Sequence, residues 1–330
     1  MSEIKFSGLN VGLKATAVEK QRSVKVFGIG DGGLNYMRRL MEANLNNVEF
    51  IAASSDEQRL NHAEAGVKIL IGEETLKGLG SQGQPAMGKE AAMVERKIIT
   101  GALANAEMVV ITTALGDDTG SGAAPVIAAI AHEMGVLVVA FVTTPFSSEG
   151  QKRAENALES IVKLKDYVDV LFEFKNDTLL SQSSQGIGMN EAIAMVDRYF
   201  SDAICCFLNL FQGNVVRVAV GDFPTLIDGY YDGSISIGHG SGDNMAVEAV
   251  NMALPDRVFK IDRSKSDNIL INLTTGPAAT INTVSEVCSL IQQNVNNTFF
   301  VQYSHTLCSD MNDQIKLTIV FLCPCSRNGG

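Results

Sequence analysis

Two apolar segments of this chain each run directly into a glycine-rich segment that is followed by a helical pattern. The first begins SVKVFGIGDGG at residue 23, and the second begins MVVITTALGDDTGSG at residue 108. A buried strand that turns through glycines into a helix is the βα unit of a parallel sheet. The repetition of this unit constrains the fold more than any other feature of the sequence.

The same alternation continues along the chain and predicts an α/β fold. VEFIAASS, VLVVAFVTT and VDVLFEF read as further buried strands, and segments with apolar residues three and four apart separate them. Alternating apolar strands and helices predict a Rossmann-like parallel sheet that is covered on both faces. A long helix follows at residues 187–213, and its apolar C-terminal half indicates a buried position between two parts of the molecule.

The sequence predicts five segments in all. They are an N-terminal arm (1–22), an α/β domain that carries both glycine segments (23–186), a central core helix (187–213), a smaller C-terminal α/β domain (214–326) and a tail (327–330). In the smaller domain, YYDGSISIGHGSGDN at residues 230–244 is typical of short Gly/Ser-rich turns.

Composition excludes several classes of protein. A net charge of -11 argues against nonspecific nucleic-acid binding, which depends on Lys and Arg. The sequence has no long uncharged apolar run and no signal-peptide pattern, so we expect no direct membrane insertion and a cytoplasmic location. The six cysteines lack paired metal-ligand spacing, and the four histidines lie far apart. We therefore expect buried free thiols, structural histidines and no metal site.

The two glycine segments are candidates for phosphate binding. Gly28, Gly30 and Gly33 satisfy the G-x-G-x-x-G pattern, and Asp56 lies where a ribose-binding acid would stand in a dinucleotide site. A tight structural turn is the alternative interpretation of these glycines. A second loop of this type favours a triphosphate held from two sides, because free N–H groups at each helix N-terminus attract phosphate.

At these residues the chain resembles the tubulin superfamily, and in particular FtsZ. The resemblance is carried in order by VEFIAASSDEQRL, GLGSQGQPAMG, GDDTGSGAAP, FVTTPFSSEGQKR and SDMNDQIKLTIV. It implies a tubulin/FtsZ-like fold with a GTP-binding domain, GTP or GDP as the ligand, and Mg²⁺ as a further candidate cofactor. It also implies head-to-tail assembly with copies of the same chain. Another FtsZ homologue is a second candidate partner.

The resemblance also implies the residues that contact the nucleotide. In the phosphate-binding loops these are Gly28, Gly30, Asp31, Gly32, Gly33, Asn35, Ser55, Gly83, Gly116, Asp117, Asp118, Thr119, Gly120, Ser121 and Gly122. Next to the sugar and base they are Glu149, Arg153, Asn176, Ile193 and Asp197.

Several of these contacts have an alternative interpretation. Asp197 matches the family carboxylate that accepts two hydrogen bonds from guanine, or else it is a surface aspartate on an amphipathic helix. Ile193 replaces the family aromatic residue that stacks on the base. Glu149 and Arg153 could instead form an exposed i, i+4 ion pair.

The segment that completes hydrolysis in the neighbouring subunit is altered. The family pattern N-x-D-x-x-D falls on residues 217–222, where Arg217 replaces the asparagine and Ala219 replaces one aspartate. Asp222 is the remaining candidate catalytic residue, and its alternative interpretation is a turn aspartate. GTP hydrolysis is therefore expected to be reduced or lost.

Asp117 and Asp118 replace two family glycines beside a ligand that carries up to four negative charges. At about 4 Å and an effective dielectric near 20, one like-charge pair costs on the order of 4 kcal/mol. The side chains could point away, a cation could bridge them to phosphate, or a basic residue of the next subunit could pair with them. Arg217 is the candidate for this interface contact, and relaxed selection is the alternative explanation.

Three functions follow from these patterns. The first is a GTP-binding cytoskeletal protein that forms filaments. The second is a nucleotide-independent filament protein, or a regulator that assembles together with an FtsZ homologue. The third is an NAD-binding oxidoreductase, which would rest on the first glycine loop alone.

Overall fold

A computed structural model describes residues 23–43, 45–180, 188–255, 265–266, 268–294 and 300–325. The predicted arm at 1–22 and the tail at 327–330 lie outside the described residues. The strands are β1 (Ser23–Ile29), β2 (Val48–Ser54), β3 (Val67–Leu70), β4 (Ala106–Ala114), β5 (Leu137–Thr144), β6 (Val170–Lys175), β7 (Tyr230–Ser241), β8 (Asn268–Thr275), β9 (Phe300–Leu307) and β10 (Gln314–Cys325).

Helices separate the successive strands in the first half of the chain, and three helices lie in a row between β3 and β4. The helices are α1 (Gly30–Glu42), α2 (Glu57–His62), α3 (Glu73–Leu76), α4 (Pro85–Val94), α5 (Arg96–Leu103), α6 (Asp118–Glu133), α7 (Gln151–Lys165), α8 (Asn176–Leu180), α9 (Met189–Asn209), α10 (Met245–Ala253) and α11 (Ile281–Asn294). No helix in the described ranges is long and apolar enough to span a bilayer.

The strands form one sheet in the order β3-β2-β1-β4-β5-β6-β7-β10-β8-β9. The first six strands are parallel, and β6 joins β7 through the parallel pairs Val170–Tyr231 and Leu171–Asp232. In the C-terminal part, β10 is antiparallel to both β7 and β8, whereas β8 and β9 are parallel. The predicted fold class, a parallel-sheet domain with a long helix and a smaller C-terminal α/β part, is confirmed.

Two apolar layers cover the parallel part of the sheet. On one face α1 and α9 pack over an aromatic core that contains Phe141, Phe172 and Phe207. On the other face α4, α5, α6 and α7 pack over strand residues that are mostly aliphatic. A third core lies between β8, β10, α10 and α11. The molecule therefore has an α9 face and an α6 face, which meet at the edge where the parallel strands end.

The prediction of turns at residues 230–244 was wrong for most of that segment. Residues 230–241 form β7, a strand of 12 residues that pairs with β10 along its whole length. The glycines allow close packing: a Cβ at Gly233 would lie 2.5 Å from the Phe172 ring, and a Cβ at Gly238 would lie 1.9 Å from the carbonyl oxygen of Ala249. Glycine here makes room for a neighbouring ring and a helix, and it does not mark turns.

The prediction of buried thiols was correct only in part. Cys206 and Cys323 are buried, Cys325 is exposed, and the other three cysteines are half-buried. All six are free thiols.

Candidate functional site

Both glycine segments lie in or beside the first turn of a helix at the carboxyl edge of the sheet. The sequence predicts that each helix follows its glycine-rich segment, but α1 begins at Gly30 and α6 begins at Asp118. Several of the predicted loop residues are thus helical, and their N–H groups belong to the first helical turns, where they lack partners within the helix. Such turns carry the positive end of the helix dipole and attract anions.

Several glycines of the two segments are required by packing. A Cβ at Gly33 would lie 2.4 Å from the carbonyl oxygen of Thr112, and one at Gly32 would lie 2.4 Å from the Cβ of Ala114. A Cβ at Gly120 would lie 2.4 Å from the Thr113 hydroxyl. Glycine is therefore required for packing at these positions, and the same close approach brings the two helix N-termini together.

The two helix N-termini open onto one cavity of about 290 Å³, here called the glycine-loop cavity. Its lining includes Ser54 and Gln82, together with these residues singled out in the sequence: Gly30, Asp31, Gly32, Ser55, Asp56, Asp117, Asp118, Thr119 and Gly120. Leu79, Gly80 and Ala114 also line it and were not predicted. Its size suits part of a nucleotide, such as a chain of phosphates, more than a whole one.

Buried hydroxyl groups join three segments below this cavity. The Ser55 Oγ lies 2.5 Å from the Thr119 Oγ1, and the Ser81 Oγ donates to the Ser55 Oγ at 3.0 Å. The N–H of Gly80 also donates to the carbonyl oxygen of Ser55 at 3.0 Å. The end of β2, the segment before α4 and the start of α6 therefore form one connected wall.

Four carboxylates surround the cavity, and each has a partner within the chain. Asp31 forms an ion pair with Arg59 at 3.2 Å, and the Asp56 carboxylate caps α2 by accepting the N–H of Arg59 at 3.0 Å. Asp117 pairs with Arg153 at 3.5 Å. These partners lie 28 and 36 residues away from Asp31 and Asp117, so no spacing in the sequence could have indicated them.

Asp118 is held by backbone groups. Its Oδ1 accepts the N–H of Thr119 at 2.7 Å, and its Oδ2 accepts the N–H of Gly83 at 2.9 Å. The negative charges of Asp117 and Asp118 are thus compensated within one subunit, by Arg153 and by two backbone N–H groups. The contact of Arg217 with these residues across a subunit interface stays a prediction.

Burial raises the pKa of Asp31 above its ordinary value of 3.8. Arg59 opposes this shift, whereas Asp56, Asp117 and Asp118 add to it by repulsion. Ionising Asp31 therefore costs folding free energy: the cost is absent at pH values well below 3.8, grows as the pH rises from 3.8 to the raised pKa of the folded state, and is constant above it.

We therefore expect Asp31→Asn to raise the unfolding temperature at about pH 7 and to lose this advantage near pH 3. Because the side chain is 46% exposed, the gain should stay below about 1 kcal/mol. Thermal unfolding followed by circular dichroism measures it, with Glu90→Gln on the exposed side of α4 as the control. A variant that is less stable than the parent at neutral pH would contradict this account.

The residues predicted near the sugar and base lie outside the lining of the glycine-loop cavity. The Glu149 carboxylate accepts the N–H of Phe146 at 2.9 Å and forms an i, i+4 ion pair with Arg153. The i, i+4 ion pair was the alternative to nucleotide binding for Glu149 and Arg153. Arg153 also pairs with Asp117. These contacts raise the pKa of the Arg153 guanidinium, chiefly through the hydrogen bond to Glu149. Roles of these residues in nucleotide binding stay predictions.

Two predicted base contacts have unusual surroundings. Asn176 is 8% exposed, and its Oδ1 has no hydrogen-bond partner among the described residues. Leaving such an atom unpaired costs about 1–3 kcal/mol, so a ligand at this position would recover that energy. Burial raises the pKa of Asp197, while Arg39 and Arg38 on α1 lower it. Ile193 lies on α9, the helix that also carries Asp197, and is 43% exposed.

The other residues predicted in the phosphate-binding loops lie around the cavity and do not line it: Gly28, Gly33, Asn35, Gly83, Gly116, Ser121 and Gly122. Asn35 lines a neighbouring groove with Asp31 and Arg59. The Ser121 hydroxyl accepts the N–H of Gly116 at 2.8 Å, which closes the second glycine loop on itself.

The segment 217–222 lies at the opposite edge of the sheet. Arg217 is exposed and lines a cavity of about 470 Å³ with Val24, Val48 and Glu107, which stand at the amino ends of β1, β2 and β4. Asp222 is exposed on a 3-10 helix at Val220–Leu226. The glycine-loop cavity and this segment therefore occupy the two ends of the parallel strands.

A parallel α/β sheet with two helix N-termini converging at its carboxyl edge defines a protein of the nucleotide-binding class. Two family models match the chain: "Tubulin/FtsZ family, GTPase domain" over residues 23–184, and "FtsZ family, C-terminal domain" over residues 232–322. The chain belongs to the tubulin/FtsZ family.

Solved structures of similar fold agree with this assignment. An empty FtsZ dimer from M. jannaschii is 28% identical, with a TM-score of 0.85, over 92% of this chain and 89% of that chain. A mutant FtsZ from the same organism is 29% identical, with a TM-score of 0.84, over 91% of this chain and 90% of that chain. The GTPγS-bound protofilament of CetZ2 from Haloferax volcanii is 18% identical, with a TM-score of 0.76, over 92% and 95%. The likeness to CetZ2 shows the fold alone.

Proposed function

We propose that this protein binds a guanine nucleotide and assembles head to tail into filaments, with GTP hydrolysis reduced or lost. The observation that carries the proposal is the placement of the glycine-loop cavity and the segment 217–222 at opposite ends of the parallel strands. A second copy stacked along the strand direction would bring its segment 217–222 to the first copy's cavity. A contact of this heterologous kind repeats without closing, so it produces filaments.

One further observation supports a guanine nucleotide, and another supports self-association. The carboxylate of Asp197 lies on α9, and the Oδ1 of Asn176, which has no hydrogen-bond partner among the described residues, lies on α8 in contact with α9. A base joined to phosphates at the glycine loops would stand on this side of the sheet. The FtsZ dimer is an assembly of chains similar to this one, and it supports self-association here.

Reduced hydrolysis is proposed from the segment 217–222. Attack by water on a phosphate requires a side chain that positions the water, and a carboxylate or an amide can do so. Asp222 is the single carboxylate in this segment, because positions 217 and 219 carry Arg and Ala.

Mg²⁺ stays a candidate cofactor. Among the described residues, no group of three or more His, Cys, Asp or Glu is arranged to hold a metal without a ligand. Any ion would need phosphate oxygens as additional ligands.

A second candidate function is a filament protein that needs no nucleotide, or a regulator that joins filaments of another FtsZ homologue. Four carboxylates around the glycine-loop cavity favour it, since they oppose phosphate binding.

Sedimentation and light scattering of the purified full chain with GTP, with GDP and without nucleotide separate the two candidate functions, and phosphate release is measured in the same samples. Assembly that requires nucleotide, with little phosphate released, supports the main proposal. Assembly that ignores nucleotide supports the second.

The Asp197 carboxylate provides a direct test of guanine recognition. An aspartate accepts two N–H groups of guanine, one on N1 and one on the 2-amino group, whereas an asparagine can accept the N1–H of xanthine and donate an N–H to the carbonyl group that xanthine carries in place of the 2-amino group. We expect Asp197→Asn to lose about 10- to 100-fold in affinity for guanine nucleotides, because hydrogen bonds to a charged group contribute about 1.5–3 kcal/mol. We also expect this variant to gain binding of xanthosine nucleotides.

Competition against a fluorescent nucleotide measures both affinities. Glu191→Gln, an exposed carboxylate near the start of the same helix, is the matched control and should change neither. Unchanged guanine affinity in Asp197→Asn would show that this carboxylate does not contact the base.

A further inference from the structure

Asp118 joins two parts of the glycine-loop cavity through a single carboxylate. One oxygen accepts the N–H of Thr119 in the first turn of α6, and the other accepts the N–H of Gly83 in the segment before α4. Gly83 has a left-handed backbone (φ 73°), which a glycine adopts without strain. The carboxylate thus sits between a helix N-terminus and a glycine turn, with each of its oxygens bonded to a backbone N–H.

Backbone N–H groups of this kind are the usual partners of a phosphate. Here they are already bonded to an anion that belongs to the chain. A free phosphate group that approached the same N–H groups would have to displace the carboxylate and would also face its negative charge. The other carboxylates of the cavity differ in this respect, because Asp31 and Asp117 pair with arginine side chains and Asp56 caps α2.

The position of Asp118 indicates which phosphate it would exclude. The candidate base contact Asp197 lies on α9, which packs with α1 on one face of the sheet. The segment that contains Gly83 leads into α4, which packs with α6 on the other face. A chain of phosphates that starts from a base at α9 crosses the first glycine loop and reaches Gly83 and Thr119 last.

We propose that the Asp118 carboxylate occupies the position of the terminal phosphate, so that the site binds a guanosine diphosphate in preference to the triphosphate. This inference rests on the proposed guanine-nucleotide site. The carboxylate itself keeps the segment before α4 attached to α6. The contact between the segment before α4 and the start of α6 therefore needs no third phosphate.

The test compares affinities for GDP and for GTPγS in the full chain by isothermal titration calorimetry. The parent should bind GDP more tightly. Asp118→Gly removes both the occupying group and its charge, and it should shift the ratio of the two affinities toward GTPγS by about 10- to 100-fold. Asp118→Asn keeps a similar shape without the charge and should shift the ratio in the same direction by less. Glu159→Gln on α7 makes the same change of net charge away from the cavity and should leave the ratio unchanged.

The outcomes separate this inference from the proposed function. If the parent binds GTPγS as tightly as GDP, or if Asp118→Gly changes both affinities equally, Asp118 does not replace a phosphate, although the nucleotide site stands. If neither ligand binds the parent or the folded variants, the proposed function itself fails, and the inference fails with it. Should Asp118→Gly prove unfolded by circular dichroism, Asp118→Asn carries the comparison.

Titrations in Mg²⁺ and in EDTA should give the same preference for GDP over GTPγS. A reversal by Mg²⁺ would mean that a bridging cation overrides the carboxylate and would overturn the inference.

Discussion

Phe207→Ala should destabilise the protein by about 3–5 kcal/mol, the range for removal of a buried aromatic side chain. Phe207 is fully buried on α9, and its ring centre lies 5.5 Å from that of Phe141, 5.6 Å from Phe172, 5.4 Å from Phe211 and 6.0 Å from Phe223. Rings from the sheet, from α9 and from the 3-10 helix Val220–Leu226 meet at this one side chain. They cannot all move inward to fill the space that it leaves.

Chemical denaturation of parent and variant measures this loss. Leu158→Ala on α7, where the side chain is 63% exposed, is the control and should change the free energy of unfolding by no more than about 0.5 kcal/mol. A loss of less than about 1 kcal/mol in Phe207→Ala would mean that the core between α9 and the sheet is looser than the ring distances indicate.

Gly122→Ala is expected to destabilise the protein by about 1–3 kcal/mol or more, because it overfills a helix contact. A Cβ at Gly122 would lie 2.1 Å from the carbonyl oxygen of Pro85 and 2.7 Å from the backbone nitrogen of Lys89. The helices α4 and α6 would have to separate by roughly 1 Å to restore normal contact. This movement would also pull Ser81 from Ser55 and weaken one wall of the glycine-loop cavity.

Urea denaturation gives the change in stability, and GDP titration gives the effect on the cavity. Gly101→Ala is the matched control, because Gly101 lies in α5 and a Cβ there would have no neighbour within 4 Å. Alanine in a helix is favoured over glycine by up to about 1 kcal/mol, so this variant should be as stable as the parent or more stable. Equal effects of the two substitutions would contradict the close contact of α4 with α6.

The predicted α/β fold rested on elements whose burial is nearly continuous. Strands β1, β4, β5 and β6 carry runs of buried apolar residues, and such runs between amphipathic helices are typical of parallel sheets. The strand β7 lacked this signal because its small residues pack against Phe172 and α10. A glycine that makes room for a neighbour and a glycine that makes a turn look alike in a sequence.

The candidate site divides in the same way. The glycine segments and Asp118 stood out because each lies close to a strand end, and carboxyl ends of parallel strands meet at one edge. Arg59 and Arg153 carried no such signal as partners of Asp31 and Asp117. Ion pairs between residues 28 and 36 positions apart depend on how separate elements pack.

The amino-acid sequence by itself determined the parallel α/β alternation of the first half of the chain, the two glycine loops and the family, because these follow from local periodicity and from short motifs. The tertiary structure alone decided what the two adjacent aspartates do. Asp117 pairs with Arg153 on α7, and Asp118 bonds to a turn 35 residues away. The physical reason is that a carboxylate is stabilised or opposed by charges and N–H groups within a few ångströms, and only the packed chain brings those groups near.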